Sequence, residues 1–280
     1  MAKTSAQTAR RKPANPRPLR LTVLRTSRPV PSLARVTLGG GDVADFEPMG
    51  HDQWFRLFLP TGGVESLTHV PRRLTTASYA RFMLVPAERR PVIRNYTVRA
   101  YRADGPDGPE IDVDLVVHGS ADEGTAGPAS TWAQTCEAGD EVTIIDEGTI
   151  YAGSPEATVL LVADESGLPA LAGILRDLPR AARGVAVVEV PHPDDRQPLE
   201  GPDGVEVRWV VRGSSTTQAR PGASALAEMS GVPVPADEQV YAWVAGESEL
   251  ATGVRRHWVS QGIPKAQISF CGYWKADADH

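Results

Sequence analysis

The pattern of apolar and polar positions divides the chain into two halves that predict different kinds of sheet. From Leu19 to about Asp146, short runs alternate apolar and polar side chains, which is the two-residue period of a half-buried β-strand. Proline and glycine separate these runs, and only one helix lies between them. This arrangement favours a small antiparallel β-barrel of six strands. The strands are expected at 19–24, 34–38, 53–60, 92–101, 110–118 and 141–146, the helix near 129–137, and a loop with a single helical turn over 61–90.

The pattern changes after Gly153-Ser154-Pro155. The run 157–163 is continuously apolar, as expected of a strand buried on both faces of a parallel sheet. Strands then alternate with helices, which predicts a doubly wound α/β layer of about five strands. The further strands are expected at 184–190, 205–211, 239–245 and 267–273, with helices at about 166–178, 222–229 and 248–260. The predicted domains are a disordered basic arm over 1–17, a β-barrel domain over 18–152 and an α/β domain over 153–280.

Composition and charge narrow the class of protein. Of the 280 residues, 41% are hydrophobic and 23% charged, as in a soluble globular protein with a sizeable core. The net charge of −6 argues against general nucleic-acid binding. No run reaches the roughly 20 apolar residues that a membrane-spanning helix needs. The first 20 residues hold six basic side chains, no acid and no hydrophobic signal segment, which predicts a disordered arm.

The cysteines and histidines show no metal-binding motif. Cys136 and Cys271 lie far apart and form no Cys-x-x-Cys pair, so a reduced, cytoplasmic setting is the default expectation. None of the six histidines has the spacing of a ligand pair such as His-Glu-x-x-His. We therefore predict no metal site.

One β-prone run, Arg94-Asn95-Tyr96-Thr97-Val98-Arg99, carries candidate chemistry. In a strand, Arg94 and Tyr96 point to one face while Thr97 and Arg99 point to the other. Such a run supplies positive charge, an aromatic plane and a hydroxyl, which are the groups that a flavin and its diphosphate need. Ordinary cross-strand packing of an arginine and a tyrosine explains the same residues equally simply.

A second candidate is Gly127-Pro128-Ala129-Ser130-Thr131-Trp132, where a loop enters a helix. The free backbone N–H groups and the positive end of the helix dipole form an anion site there, and the two hydroxyls add donors. The alternative is a helix cap without a ligand, because Gly-Pro opens many helices and serine or threonine caps them.

Together with other runs, these motifs resemble the siderophore-interacting (ferric-siderophore reductase) family of flavoproteins. That family has Arg-x-Tyr-Thr-x-Arg, then an apolar strand ending in His-Gly, then Gly-Pro-Ala-Ser-x-Trp-Ala, and the same order stands here at 94–99, 118–119 and 127–133. The runs 163–170 and 272–275 also resemble the family, so that the resemblance covers nearly everything from Leu19 to Lys275. It departs at 146–151, where Asp-Glu-Gly-Thr-Ile-Tyr replaces a Gly-Pro-x-Gly turn and puts the usual cofactor contact of that turn in doubt.

The resemblance implies an FAD-binding barrel, a nicotinamide-binding-type α/β domain, and site residues in both. Two basic residues, Arg56 and Lys275, are implied to meet an anionic ferric siderophore, whose Fe(III) takes single electrons from the flavin. NADH or NADPH is the expected electron donor, and ferredoxin is an alternative. The residues implied to hold FAD are Arg94, Tyr96, Thr97, Arg99, His118, Gly127, Pro128, Ala129, Ser130, Thr131 and Trp132.

The sequence of the second half leaves open which electron donor is used and whether the protein turns over a substrate. Asp164 and Glu165 stand where a pyrophosphate would meet the first helix, which is electrostatically unfavourable. Glu189 would suit the ribose of NADH, whereas Arg212 or Arg220 would suit the 2′-phosphate of NADPH. Two other functions therefore stay open: a flavin- or siderophore-binding module without turnover, and a flavin reductase with a different acceptor.

Overall fold

The structure is a computed structural model that describes residues 11–213, 220–235 and 239–276. Residues 1–10 of the predicted basic arm lie outside this part of the chain. From Arg11 onward the arm contacts the first sheet. The Arg11 carbonyl accepts a hydrogen bond of 2.9 Å from the Thr149 backbone N–H, and Arg17 forms an ion pair with Asp45.

The first half is an antiparallel sheet of seven strands, not the six expected, and its ladder is not closed. The strand order is β4-β3-β7-β1-β2-β6-β5, so that β4 and β5 are the two edges. Alternate side chains of these strands bury one apolar core, which includes Leu21, Val36, Phe55 and Ile144. The strands are β1 (Pro18–Val30), β2 (Leu33–Gly39), β3 (Trp54–Leu59), β4 (Val92–Thr97), β5 (Ala100–Gly105), β6 (Gly108–Val116) and β7 (Glu141–Gly148).

The extra strand arises because the run expected at 92–101 is split into two. β4 ends at Thr97, β5 begins at Ala100, and the two residues between them bond to different strands. The Val98 N–H donates to the Gln53 carbonyl at 2.8 Å, and the Arg99 N–H donates to the Asp112 carbonyl at 2.9 Å. The chain therefore crosses from one edge of the sheet to the other within two residues.

Two helices belong to this half. Helix α1 (Thr76–Met83) lies in the interval predicted as a loop with a single helical turn, and it is longer than that turn. Thr75 caps it through the backbone N–H of Ser78. Its Phe82 is buried against Phe58 of β3, with the two ring centroids 6.1 Å apart. Helix α2 (Pro128–Thr135) is the predicted helix, and it packs against β2, β4 and β6.

The second half confirms the predicted doubly wound layer. Its five strands are all parallel in the order β10-β9-β8-β11-β12, and helices connect them on both faces. β8 is buried almost throughout, as its continuous apolar run predicts. The elements are β8 (Thr158–Ala163), α3 (Leu168–Asp177), β9 (Gly184–Val190), β10 (Val205–Val211), α4 (Ala223–Ser230), β11 (Val240–Glu247), α5 (Ser248–Ser260) and β12 (Ile268–Trp274).

A buried carboxylate joins the two sheets. Asp52, immediately before β3, accepts hydrogen bonds of 2.9 Å from the backbone N–H groups of Ile150 and Tyr151. It also accepts a hydrogen bond of 3.1 Å from the indole of Trp243 in β11. Burial raises the pKa of Asp52. Because these donors come from both halves of the chain, Asp52 fixes the interface between the two sheets. We call this interface the seam, and the candidate site lies beside it.

Candidate cofactor and substrate site

Strand β4 presents the residues of the Arg-x-Tyr-Thr motif at the edge of the first sheet. Tyr96 packs against the apolar core, and burial raises the pKa of its hydroxyl to about 12. Arg94 is exposed. Its guanidinium donates to its neighbouring Ile93 carbonyl at 2.9 Å and forms no ion pair with any carboxylate in the described ranges. The edge strand therefore offers an uncompensated cation beside an anchored aromatic ring.

Thr97 connects this edge to the end of the second sheet. It is buried, and its side chain lies close to the hydroxyl of Tyr273 in β12. Burial of that hydroxyl raises the pKa of Tyr273 well above its ordinary value, although 38% of the residue is exposed. The hydroxyl of Tyr273 is thus buried beside Thr97, while part of the ring faces solvent. An anchored ring with an exposed surface is suited to stacking against a planar ligand.

Helix α2 begins beside the end of β6, and its position is fixed by Ser130. The Ser130 hydroxyl accepts from the His118 backbone N–H at 3.0 Å and donates to the His118 carbonyl at 2.9 Å. The His118 ring lies against Gly127, where an added Cβ would come within 3.3 Å of the ring carbon Cε1. Glycine at this position therefore allows the histidine to lie close to the helix start.

What α2 offers to a ligand is its backbone. The first intrahelical bond in this turn runs from the Thr131 N–H to the Gly127 carbonyl, at 2.8 Å, so the N–H groups of Ala129 and Ser130 precede it and face outward along the helix axis. The hydroxyls expected to help are committed elsewhere: Ser130 donates to His118, and Thr131 donates to the Ala126 carbonyl at 3.2 Å. Pro128 opens the helix, and Trp132 packs against the core.

Arg99 lies among carboxylates. Its Nε is 3.4 Å from an oxygen of Asp114 in β6, and burial lowers the pKa of its guanidinium. Asp114 is also held by Arg35, at 2.6 Å. The assignment of Arg99 to FAD stays a prediction, and the contact seen here ties it to β6.

The two implied substrate residues have different surroundings. Arg56 of β3 is half-buried, and its Nε donates to Glu147 at 2.7 Å. Lys275 directly follows β12 and is exposed. Glu147 belongs to the 146–151 run in which the chain departs from the family pattern. The departure therefore places the Glu147 carboxylate against Arg56, one of the two cations expected to bind the substrate.

Asp164 does not oppose a ligand as the sequence suggested, because its carboxylate points inward. One oxygen accepts from the backbone N–H and the hydroxyl of Ser166, at 2.9 and 2.6 Å, and from the Gly167 N–H at 3.2 Å. The other accepts from the Glu247 N–H at 2.7 Å and from the Trp274 indole at 2.9 Å. Five donors thus compensate the charge, and they join the ends of β8, β11 and β12.

Glu165 and Glu189 are also committed within the protein. Arg212 bonds both of them, with distances of 3.0 Å to Glu165 and 2.9 Å to Glu189. Glu189 is fully buried and accepts from the Gly222 and Ala225 N–H groups at the start of α4, at 2.7 and 3.0 Å. Glu189 is therefore not placed to accept a ribose hydroxyl, and Arg212 is not free for a 2′-phosphate. Arg220, the other candidate for a 2′-phosphate, is exposed and pairs with Glu249 at 3.0 Å.

Sequence reasoning missed two residues that organise this region. Asp52 stands alone before β3, and nothing in the periodicity marks it as the carboxylate at the seam. Tyr273 belongs to the run 272–275 that resembles the family, but its proximity to Thr97 on the other sheet is not visible in the sequence. The available signal was an aromatic pair after glycine at the end of the last strand.

These residues fit an FAD. Arg94 supplies a cation without a carboxylate partner, α2 supplies backbone donors for a diphosphate, and α2 packs against the strand that carries Tyr96. Tyr273 supplies a partly exposed ring from the second sheet. An antiparallel flavin domain followed by a doubly wound parallel sheet is the ferredoxin-reductase fold, and the chain is a flavoprotein of that class.

The family is shown by two matches that lie end to end. Residues 22–149 match the model of the siderophore-interacting FAD-binding domain, and residues 156–277 match the model of the siderophore-interacting protein. The chain belongs to the siderophore-interacting protein family.

Named relatives and a solved structure agree with this family. The ferric vibriobactin reductase ViuB of Vibrio cholerae is 31% identical over 87% of this chain and 84% of its own. The NADPH-dependent ferric-chelate reductase of Escherichia coli is 28% identical, over 91% and 92%. The crystal structure of a siderophore utilization protein from T. fusca superposes with a TM-score of 0.77 and 26% identity, over 97% of each chain.

The described ranges contain neither a membrane-spanning helix nor a cluster of metal ligands. No helix in them is both long and apolar enough to pass through a lipid bilayer. They also hold no cluster of three or more histidine, cysteine, aspartate or glutamate side chains that would suit a metal ion.

Proposed function

We propose that the protein is an FAD-dependent ferric-siderophore reductase that acts in the cytoplasm, where it releases iron as Fe(II). The observation that supports the proposal most directly is the position of β4: this strand carries Tyr96 and Thr97, contacts α2, and brings Thr97 close to Tyr273 of the second sheet. The reductase names of two relatives that align with nearly the whole chain support it.

Within this function, Arg94 and the N–H groups at the start of α2 would bind the diphosphate of FAD, while Tyr96 and Tyr273 would hold its ring system. Thr97 would offer a hydroxyl to that ring system, and Asp52 holds the two sheets together by hydrogen bonds from Ile150 and Trp243. A bound FAD would supply the conversion of a two-electron donor into single-electron reduction of Fe(III). No nucleophile or general base from the chain is required.

The donor in this proposal is NADH or NADPH, with ferredoxin as the alternative. The acids that seemed to oppose a nicotinamide dinucleotide are compensated, Asp164 by five donors and Glu165 by Arg212. This favours a reductase over a binding module without turnover. The name of the Escherichia coli relative favours NADPH.

An anaerobic two-step assay tests the function. The FAD-loaded protein is reduced with NADPH, NADH or reduced ferredoxin, and its flavin absorption is followed; a ferric siderophore and an Fe(II)-specific chromophore are then added. We expect bleaching with at least one donor, followed by reoxidation and Fe(II) release. If the reduced flavin is not reoxidised by any ferric siderophore but is reoxidised by quinones, the protein is a flavin reductase with a different acceptor.

A further inference from the structure

Arg56 lies on the same face of the first sheet as Thr97. It pairs across the strands with Asn95, and directly paired residues of antiparallel strands point to the same face. Thr97 follows Asn95 by two residues, so it points to that face as well. Arg56 is therefore about one strand repeat from the hydroxyl that meets Tyr273.

The same face is bounded on its other side by α1. Phe58 follows Arg56 by two residues and is covered by Phe82 of that helix. Arg94 pairs with Leu57, a residue of the opposite, core-facing side. Arg56 thus lies on this face of β3, between the Thr97–Tyr273 contact and α1. It is a different cation from Arg94, which is assigned to the diphosphate.

A β-bulge aims Glu147 at this cation. Trp54 pairs with Gly148 while its neighbour Phe55 pairs with Asp146, which leaves Glu147 as the extra residue of β7. Gly148 has a φ of 81°, a backbone conformation that favours glycine. Bulges occur next to active sites because they re-aim a side chain.

A buried side chain holds the bulge in place. Asp146 accepts from the Gly148 N–H at 2.9 Å and from the Gln53 side chain at 2.8 Å. The ion pair that results is shielded, because the side chains of Arg56 and Glu147 are only 31% and 14% exposed. A shielded pair is screened less by salt than a surface pair, so the charge of Arg56 is effectively cancelled at short range.

We propose that Glu147 determines the specificity of the acceptor site. By neutralising Arg56, it makes the site favour uncharged ferric chelates of the trihydroxamate type over polyanionic chelates of the tricatecholate type. Three hydroxamates balance the charge of Fe(III), whereas three catecholates leave a trianion. An unpaired arginine would attract the trianion strongly, and a paired one does not. This inference rests on the proposed function.

Binding of redox-inert gallium(III) chelates to the FAD-loaded chain tests the inference without turnover. Glu147→Gln, Arg56→Gln and the double variant are compared with the parent chain by titration with a Ga(III) trihydroxamate and a Ga(III) tricatecholate. Glu206→Gln is the matched control, because it removes the same charge from an ion pair with Arg208 on β10, at the far edge of the second sheet. Flavin absorption and melting temperature verify that each variant is folded and loaded.

We expect Glu147→Gln to bind the tricatecholate about tenfold more tightly and the trihydroxamate within about twofold of the parent. The gain should vanish in the double variant and be absent from Glu206→Gln. An equal change for both chelates, no change for either, or a gain that persists without Arg56 would overturn the inference while leaving the reductase function intact. If every FAD-loaded variant binds neither chelate, the proposed function fails and the inference fails with it.

Discussion

Ser130 and His118 are joined by two hydrogen bonds through one hydroxyl. Ser130 Oγ accepts from the His118 N–H at 3.0 Å and donates to the His118 carbonyl at 2.9 Å. This side chain therefore satisfies both backbone groups of a residue that follows β6, and it fixes where α2 starts. The serine of the Gly-Pro-Ala-Ser motif thus positions the backbone donors of the helix, and its role as a direct contact of FAD stays a prediction.

Ser130→Ala should weaken FAD binding because the start of α2 would no longer be held against β6. We expect a roughly tenfold higher dissociation constant and a loss of about 0.5–1.5 kcal/mol in the free energy of unfolding, since two part-buried hydrogen bonds to His118 are removed. Flavin titration and urea unfolding measure the two effects. Thr135→Ala, at the exposed end of the same helix, removes a hydroxyl bonded to the Thr131 carbonyl and should change flavin affinity little.

Asp164→Asn should destabilise the second sheet. The amide replaces an oxygen that accepts hydrogen bonds with an NH₂ that faces other donors. We expect a loss of about 2–4 kcal/mol in the free energy of unfolding, measured with urea, and a shift in the fluorescence of Trp274, whose indole bonds this carboxylate. Asp203→Asn is the control, because Asp203 is exposed. Equal stability of the two variants would show that the five contacts contribute nothing.

A buried carboxylate on β6 should make stability depend on acid pH. Glu110 accepts two hydrogen bonds of 2.8 Å from Arg25 and one from Arg102, and these partners lower its pKa to about 2. Because the folded pKa lies below the ordinary value of 4.5, the contribution is fully present above about 4.5 and is lost as the pH falls toward about 2.

We therefore expect the free energy of unfolding of Glu110→Gln to fall less steeply between pH ~5 and ~2.5 than that of the parent chain. At neutral pH this variant should be less stable by about 1–3 kcal/mol. Urea unfolding at several pH values measures both quantities, with the exposed Glu137→Gln as control. Parallel pH profiles for the parent and Glu110→Gln would contradict the assignment.

Sequence periodicity predicted the elements of the second half well, because strands buried on both faces and helices with apolar stripes carry strong local signals. It failed where a long-range contact decides the structure. Val98 and Arg99 continue an alternating pattern, yet each bonds to a different strand, so one predicted strand became two.

The direction in which a side chain points is the other feature that the sequence does not predict. Asp164 and Glu189 were interpreted by their positions at strand ends, but hydrogen-bond donors from later segments turn both inward. The acid at 147 was recognised as a departure, and only the bulge in β7 shows that it points at Arg56. The motif residues of the first half were found because their spacing is local; Tyr273 was left unassigned because its partner Thr97 lies on the other sheet.

The most direct test of the account is an equilibrium titration of the flavin-free chain with FAD. We predict one FAD per chain and a dissociation constant about tenfold or more higher in Arg94→Gln, which removes an arginine of β4 that has no carboxylate partner in the described ranges. Arg89→Gln, an exposed arginine that precedes the same strand, should bind FAD as the parent does. Failure of the parent to bind FAD, or equal affinity in all three proteins, would contradict a flavin held at this seam.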